Sequence, residues 1–385
     1  MGLATTLSAQ EAPDTTTPDA PALRRADVID AGAFHTCVLT QRVFCWGANT
    51  SGQLGDGTTQ NRAAPVLVTG LGRDVVQITT GANHTCALRS NGRALCWGSN
   101  TFGQLGDRTT TSSSTPVLVR GLTSIGRIVA GENHTCAFDS SRAKVFCWGA
   151  NFKGQLGDGT TQNSLVPVRV KRIDLLNSTL DGGLVSTGEH TCAHHNSGRS
   201  VCWGNNDSGQ LGNGTTDNSS LPVTARRMNQ AILATGGQHS CGMKALRNNK
   251  VFCWGLNATG QLGDGTTTNR ALAVPVKRLG RSMVIGLAAG SAHTCALKMN
   301  ERVVCWGWNS SGQLGNDTIS QSLFPVRARG IPRPVQIAAG NVHTCAVTLT
   351  GRAYCWGNND FGQVGSGDFD TRRYLSPVRV PGFGS

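Results

Sequence analysis

The sequence predicts an all-β fold, a seven-bladed β-propeller of four-stranded blades with about 50 residues per repeat, on three observations. The phrase His-Thr-Cys or His-Ser-Cys recurs seven times, beginning at His35, His84, His134, His190, His239, His293 and His343, in steps of 49, 50, 56, 49, 54 and 50 residues. Each copy is followed by Cys-Trp-Gly, which places all 14 cysteines and seven of the eight tryptophans. Glycine supplies 50 of the 385 residues and aromatics only 5%, a balance that suits turns and short strands over long helices.

Within one unit the elements follow in order. An apolar run ending in glycine, such as VVQITTG at 75–81, predicts a first strand, and His-x-Cys a second. A hairpin turn leads to the Cys-Trp-Gly strand and then to an Asn-x-x-Gly-Gln-Leu-Gly loop, as in NTSGQLGDGTT from Asn49; the seventh copy reads GQVG at Gly362. A Pro-Val pair then opens the last strand at Pro65, Pro116, Pro167, Pro222, Pro275, Pro325 and Pro377. Proline cannot donate to a ladder, so this strand belongs at the outer edge. The propeller is expected over residues 26–382, with 383–385 as its C-terminal end. Residues 1–25 form a flexible Thr/Pro/Asp tail or a signal remnant, in which LSA at 7–9 is the stub of a cleavage region. A start near Val28 and an end near Val378 allow either complete blades or a last blade shared between the termini.

The cysteine spacing puts each pair on the two arms of one hairpin: Cys37 with Cys45, Cys86 with Cys96, Cys136 with Cys147, Cys192 with Cys202, Cys241 with Cys253, Cys295 with Cys305, and Cys345 with Cys355. Centring the first turn on Gln41 sets Cys37 opposite Cys45, and centring the second on Asn91 sets Cys86 opposite Cys96. Directly opposed α-carbons lie about 4.5–5.5 Å apart, within disulfide reach. Disulfides are the favoured reading, and they imply an exported, periplasmic or cell-surface protein. Two alternatives stand beside it. Buried free thiols would pack as small hydrophobes. A zinc set would be sharpest at His190, Cys192, His194 and Cys202, which share one strand face or oppose it.

No stretch approaches the roughly 20 apolar residues of a membrane span. The formal net charge of +13 favours anionic partners. Three residues before each Cys-Trp-Gly cysteine stands a basic residue: Arg42, Arg93, Lys144, Arg199, Lys250, Arg302 and Arg352. Sevenfold repetition would gather them in a ring on one face, able to hold a polyanion or simply to keep the edges soluble. Further basic residues sit on last strands, at Arg169, Lys277, Arg327 and Arg379. Asp56, Asp107, Asp158 and Asp264 recur in turns, where aspartate fits for local hydrogen bonding. The histidines outside the repeat are only His194 and His195, and no nucleophile with a dedicated base assembles, so no catalytic, cofactor or metal residue is assigned. Loop positions that differ between repeats aim at partners. Phe34, Phe102, Phe152, Trp308 and Phe361 stand where other units carry small or polar residues and are the candidate interface anchors, a role that nearby arginine would strengthen.

GxxHTCAL, CWGxNxxGQLGDGTT and PVxV together resemble the regulator of chromosome condensation repeat over about residues 26–382. The resemblance implies a seven-bladed propeller in which the histidine is a hydrogen-bonding framework residue. It says little about function, because this scaffold hosts exchange factors, ubiquitin-ligase modules, a photoreceptor and enzyme inhibitors. The nuclear exchange factor of the family would need a basic N-terminal arm and an inserted wedge; the tail is acidic or neutral before Arg24, and the longest unit is extended only around Ile173 to Gly183. The plant photoreceptor would need tryptophan before the repeat histidine, where Ala33, Ala82, Glu132, Ser291 and Asn341 stand. The sequence therefore points to a monomeric, non-catalytic, exported binding module, similar to the stand-alone cysteine-paired members, one branch of which clamps a β-lactamase by a propeller face. Its expected partner is a protein or an anionic surface polymer, with no specific nucleic acid. The alternative is a cytoplasmic guanine-nucleotide exchange regulator of a small GTPase.

Overall fold

The computed structural model describes residues 26–173, 183–194, 199–229, 231–244, 250–369 and 373–384. In the first blade, strands Val28–Ala31, His35–Leu39, Val43–Gly47 and Arg62–Leu67 pair antiparallel in chain order, and six further blades repeat the plan. They span Val75–Leu118, Ile125–Arg169, Leu184–Asn229, Ala231–Pro275, Val284–Arg327 and Pro334–Arg379. Every blade is thus complete within one stretch of chain, and the ring closes by side-chain and backbone contacts between blades 7 and 1, with no strand shared between the ends.

First strands of successive blades lie beside one another around a central channel of about 270 Å³. The core sits between blades. Leu54 and Val68 of blade 1, for example, pack with Ile78 and Trp97 of blade 2. Each repeat tryptophan is fully buried, and its indole Nε1 donates to the carbonyl of the Gln-Leu-Gly glutamine in the preceding blade at 2.8–3.0 Å. At the closure, Trp46 donates to Gln363, and the Gln336 amide pairs with both backbone groups of Ile29 at 3.1 Å. Phe383 is fully buried there against Phe44 and Trp46, so a residue expected to lie beyond the propeller plugs its seam.

Two details differ from the expected strands. In six blades the outer strand begins three residues before its proline, at Arg62, Ser113, Ser164, Ser219, Ser322 and Tyr374. Proline falls in a bulge where the ladder shifts register and needs no donor, as between Cys45 and Gly47 in the first blade. In blade 5 that position holds Ala273, because Val274 is the residue opposite Cys253; Pro275 comes two residues later, at the strand end.

The glycine that ends each first strand is dictated by its neighbours. A Cβ on Gly81 would overlap the His84 ring and the Gly131 carbonyl of the next blade. Gly81→Ala is expected to destabilise the protein by about 1–3 kcal/mol, measured as a lowered denaturation midpoint, because neither neighbour can move without opening the junction.

Candidate binding faces

The strand directions give the disc two different ends. Loops joining first to second strands, and third to fourth, open at one end, here the loop face. The hairpins joining second to third strands lie at the other, the turn face, where their tips bond to the linkers entering the first strands. Ser90 N donates to Asp74 O at 2.8 Å, Met299 N to Met283 O at 2.7 Å and Leu349 N to Arg333 O at 2.9 Å.

All seven cysteine pairs are directly opposed and disulfide-bonded, with α-carbons 4.0–4.1 Å apart, closer than the spacing expected from sequence. Every cysteine is fully buried. These bonds remove the thiolates of Cys192 and Cys202 from the zinc set, and His190 Nε2 is engaged at 2.8 Å by the Ser240 hydroxyl of the next blade.

That contact belongs to a ring of seven. Each repeat histidine Nε2 meets the Thr or Ser hydroxyl of the next blade's His-x-Cys at 2.8–3.0 Å. In six junctions this hydroxyl donates its one proton to a glutamine carbonyl. It must therefore accept from the histidine, so the proton sits on Nε2. Nδ1 is bare, buried and without a hydrogen-bond partner among the described residues, and in six blades it faces the glycine three positions upstream. Burial lowers these histidines to about 3 at His35, His134, His190, His293 and His343, and to about 4 at His84 and His239. They are neutral framework groups.

The channel also uses its polar groups for assembly. Asp30 accepts from Thr80 N of the next blade at 2.8 Å, the Gln77 amide pairs with both backbone groups of Ile128, and Arg127 Nε donates to Leu184 O at 3.1 Å. The recurrent aspartates close local turns: Asp56 accepts from the Thr58 amide and hydroxyl, at 3.0 and 2.7 Å, and Asp264 accepts likewise from Thr266.

The five candidate aromatics all lie on the loop face. Phe34 and Phe361 meet edge to face at 5.3 Å across the seam of blades 1 and 7, and Phe102 and Phe152 do the same across blades 2 and 3. Phe152 is 58% exposed and Trp308 half-buried. Glu132 and Glu189 line the channel mouth on the same face. Partial burial, and then the charge of Glu189, push the Glu132 carboxyl up. Lys153 beside Asp207, at 2.9 Å, holds that carboxyl down.

The basic positions lie on the turn face. Arg42, Arg93, Arg199, Lys250 and Arg302 are exposed, and Lys144 and Arg352 half-buried. Nearby arginine was expected to reinforce the aromatics, and here the fold corrects the reading: the repeated basic residues and the phenylalanines sit at opposite ends, and the loop-face cations are others, such as Lys153 and Arg373, which donates to Ser310 O. Sequence reasoning missed a further turn-face feature. Val76, Ile285 and Val335 occupy the second position of three first strands, with exposures of 54%, 47% and 46%. Their shared repeat position was the signal that could have found them.

Comparison with known proteins places this architecture. The model of the RCC1-like domain matches residues 2–284, and models of the regulator of chromosome condensation (RCC1) repeat match 284–313 with 335–363, and 300–347 with 350–385. The chain is 30% identical over 306 residues to the Ultraviolet-B receptor UVR8 of Arabidopsis thaliana, covering 76% of this chain and 67% of that protein. It is 28% identical over 293 residues to the human E3 ubiquitin-protein ligase HERC2, covering 74% of this chain but spanning only 6% of the ligase. Among solved structures, yeast RCC1 (Prp20) bound to Kap60 superimposes with a TM-score of 0.76 at 21% identity, covering 98% of this chain and 91% of that one. The ectodomain of the Arabidopsis thaliana receptor kinase ACR4 gives 0.54 at 21% identity, covering 86% and 96%. At that identity both structures speak for the fold alone. The chain belongs to the RCC1-like propeller family, built of regulator of chromosome condensation repeats.

Proposed function

We propose that the protein is an exported, non-catalytic binding module that recognises a protein partner through its loop face. The observation that carries this reading is the division of labour among the loop residues. Repeated side chains are consumed by blade-to-blade latches, and the loops add two phenylalanine pairs and Trp308, half-buried except for the exposed Phe152, on the face that also carries acidic groups. Aromatic anchors of this kind concentrate binding energy at interfaces. The seven disulfides support export, because such bonds persist in oxidising compartments. A cytosolic exchange regulator would have to keep the same 14 cysteines reduced, so that reading is the weaker of the two.

The test uses the intact oxidised chain as bait in extracellular material from its source, with every partner then titrated against variants. Phe102→Ala with Phe152→Ala is expected to weaken binding at least about tenfold, whereas Arg93→Gln on the turn face leaves it unchanged. Binding that ignores the phenylalanines and collapses with Arg93→Gln would transfer recognition to the other face and overturn the proposal.

A further inference from the structure

The two ends of the disc carry opposite charge. The loop face carries Glu132 and Glu189 at its mouth and Asp207 and Asp360 on its loops, where Lys153 is already paired to Asp207. On the turn face the seven repeated basic positions are joined by Arg73, Lys244 and Arg281. Of the acidic groups there, Asp74, Asp139 and Glu301 are held by Arg89, Arg142 and Arg333 at 3.3–3.5 Å. Among the described residues the turn face is therefore the more positive end of the propeller axis.

The same end carries an apolar arc. On blades 6 and 7, Met283, Ile285, Met299, Val335 and Leu349 are 37%, 47%, 63%, 46% and 40% exposed. They form two groups, Met283 with Ile285 and Met299 on blade 6 and Val335 with Leu349 on blade 7, each tied by a backbone bond within its blade, Met299 to Met283 and Leu349 to Arg333, and the two blades pack through their first strands. Single exposed apolar residues are ordinary, but a contiguous group on one face marks an interaction surface. Ile232 extends it at the first strand of blade 5, with an exposure of 39%.

A linear polyanion would be served by the cations alone and has no use for the arc. An anionic bilayer uses both, since cations meet the headgroups and apolar side chains enter the boundary beneath them. The acidic loop face would be repelled from such a surface, so the axial charge asymmetry also sets the orientation. We propose that the turn face is a peripheral docking surface for an anionic lipid bilayer, on which the disc lies flat with Met283, Ile285, Met299, Val335 and Leu349 inserted and the loop face turned outward. The assignment extends the binding-module reading by giving the second face a role, but its chemistry stands without that reading.

The experiment is sedimentation of the oxidised full chain with phosphatidylcholine vesicles containing about one-third phosphatidylglycerol, against pure phosphatidylcholine vesicles, with heparin as a soluble polyanion. Binding to the anionic vesicles alone is expected. Lys250→Gln with Arg302→Gln should weaken it roughly thirtyfold, at about one power-of-ten step for each 1.4 kcal/mol lost. Met283→Ser with Met299→Ser should weaken vesicle binding severalfold and leave heparin binding unchanged; both residues are exposed, and an unchanged denaturation midpoint verifies the fold. Vesicle binding that ignores the serine substitutions would reassign the face to linear polyanions, and absence of vesicle binding would overturn the proposal outright. Neither result touches the phenylalanine variants, so failure here is separable from failure of the loop-face reading.

Discussion

Reduced under denaturing conditions and returned to native buffer with reductant present, the protein is expected to lose the cooperative unfolding transition that the oxidised form shows. Each disulfide closes a loop of 8–12 residues, and a loop of that size is worth roughly 2–3 kcal/mol through the entropy removed from the unfolded chain. Seven of them contribute on the order of 15 kcal/mol, which matches or exceeds the whole net stability of an ordinary domain. The bonds are fully buried, so reductant alone acts slowly on the folded form. The measurement is therefore thermal unfolding by circular dichroism of the two preparations, with thiol content fixed by mass after alkylation. Superimposable transitions for the oxidised and fully reduced chains would sink the staple argument, and with it the strongest support for export. A single-bond variant sets the scale. Cys86→Ala with Cys96→Ala opens one hairpin in blade 2 and should lower the midpoint by several degrees while the other six blades keep their bonds.

That pairing was legible in the sequence because the side-chain period of a strand is two. Once the turn is centred on Gln41, Cys37 can face only Cys45, and the ladder has that register. The outer strands were less legible, because a bulge breaks the period: the Pro-Val pair marks the same ladder position in blade 1 but not in blade 5, where Ala273 takes the place of Pro65. Three-dimensional juxtapositions could not be read from spacing at all. Arg42 lies eight residues from Phe34, yet one strand of a short hairpin carries them to opposite ends of the disc. Phe361 lies across the whole chain from Phe34 and touches it. Phe383 looked like an ending because nothing in its own segment repeats, and its burial against Trp46 exists only once the ring has closed. The repeat histidine was recognisable as framework, but its role as donor to the next blade's hydroxyl depends on a neighbour about 50 residues away.

Acid is expected to dismantle the ring well above the pH at which ordinary carboxylates titrate. The seven histidines have folded pKa values of about 3 to 4, lowered from 6.5 by burial. Above pH 6.5 both folded and unfolded states hold them neutral, and their contribution to stability is complete. As pH falls below 6.5 the unfolded chain takes up protons that the folded chain cannot, so stability falls and continues to fall until the folded values are reached. At pH 5 this costs about 2 kcal/mol per histidine and on the order of 10 kcal/mol for the set. Asp30 and Glu132 work against the trend: burial raises both, helped at Glu132 by the charge of Glu189, so the folded state favours their protonation, but they are two carboxyls against seven imidazoles. Asp56 and Asp264 have the same sign as the histidines, because hydrogen bonds from Thr58 and Thr266 with their arginines outweigh burial and lower them, but they act only near and below their ordinary 3.8. The window between pH 6.5 and 5 therefore belongs to the histidines. Urea midpoints of the oxidised protein should drop steeply across it, with close to seven protons taken up on unfolding at pH 5. His239→Gln keeps an N–H for the Thr294 hydroxyl and removes the titration, so it should lower that uptake by about one proton while changing stability at pH 7.5 far less. A midpoint that stays level from pH 7 to 5 would show that the imidazoles titrate alike in both states, and the buried donor ring would then have to be redrawn with water reaching Nδ1.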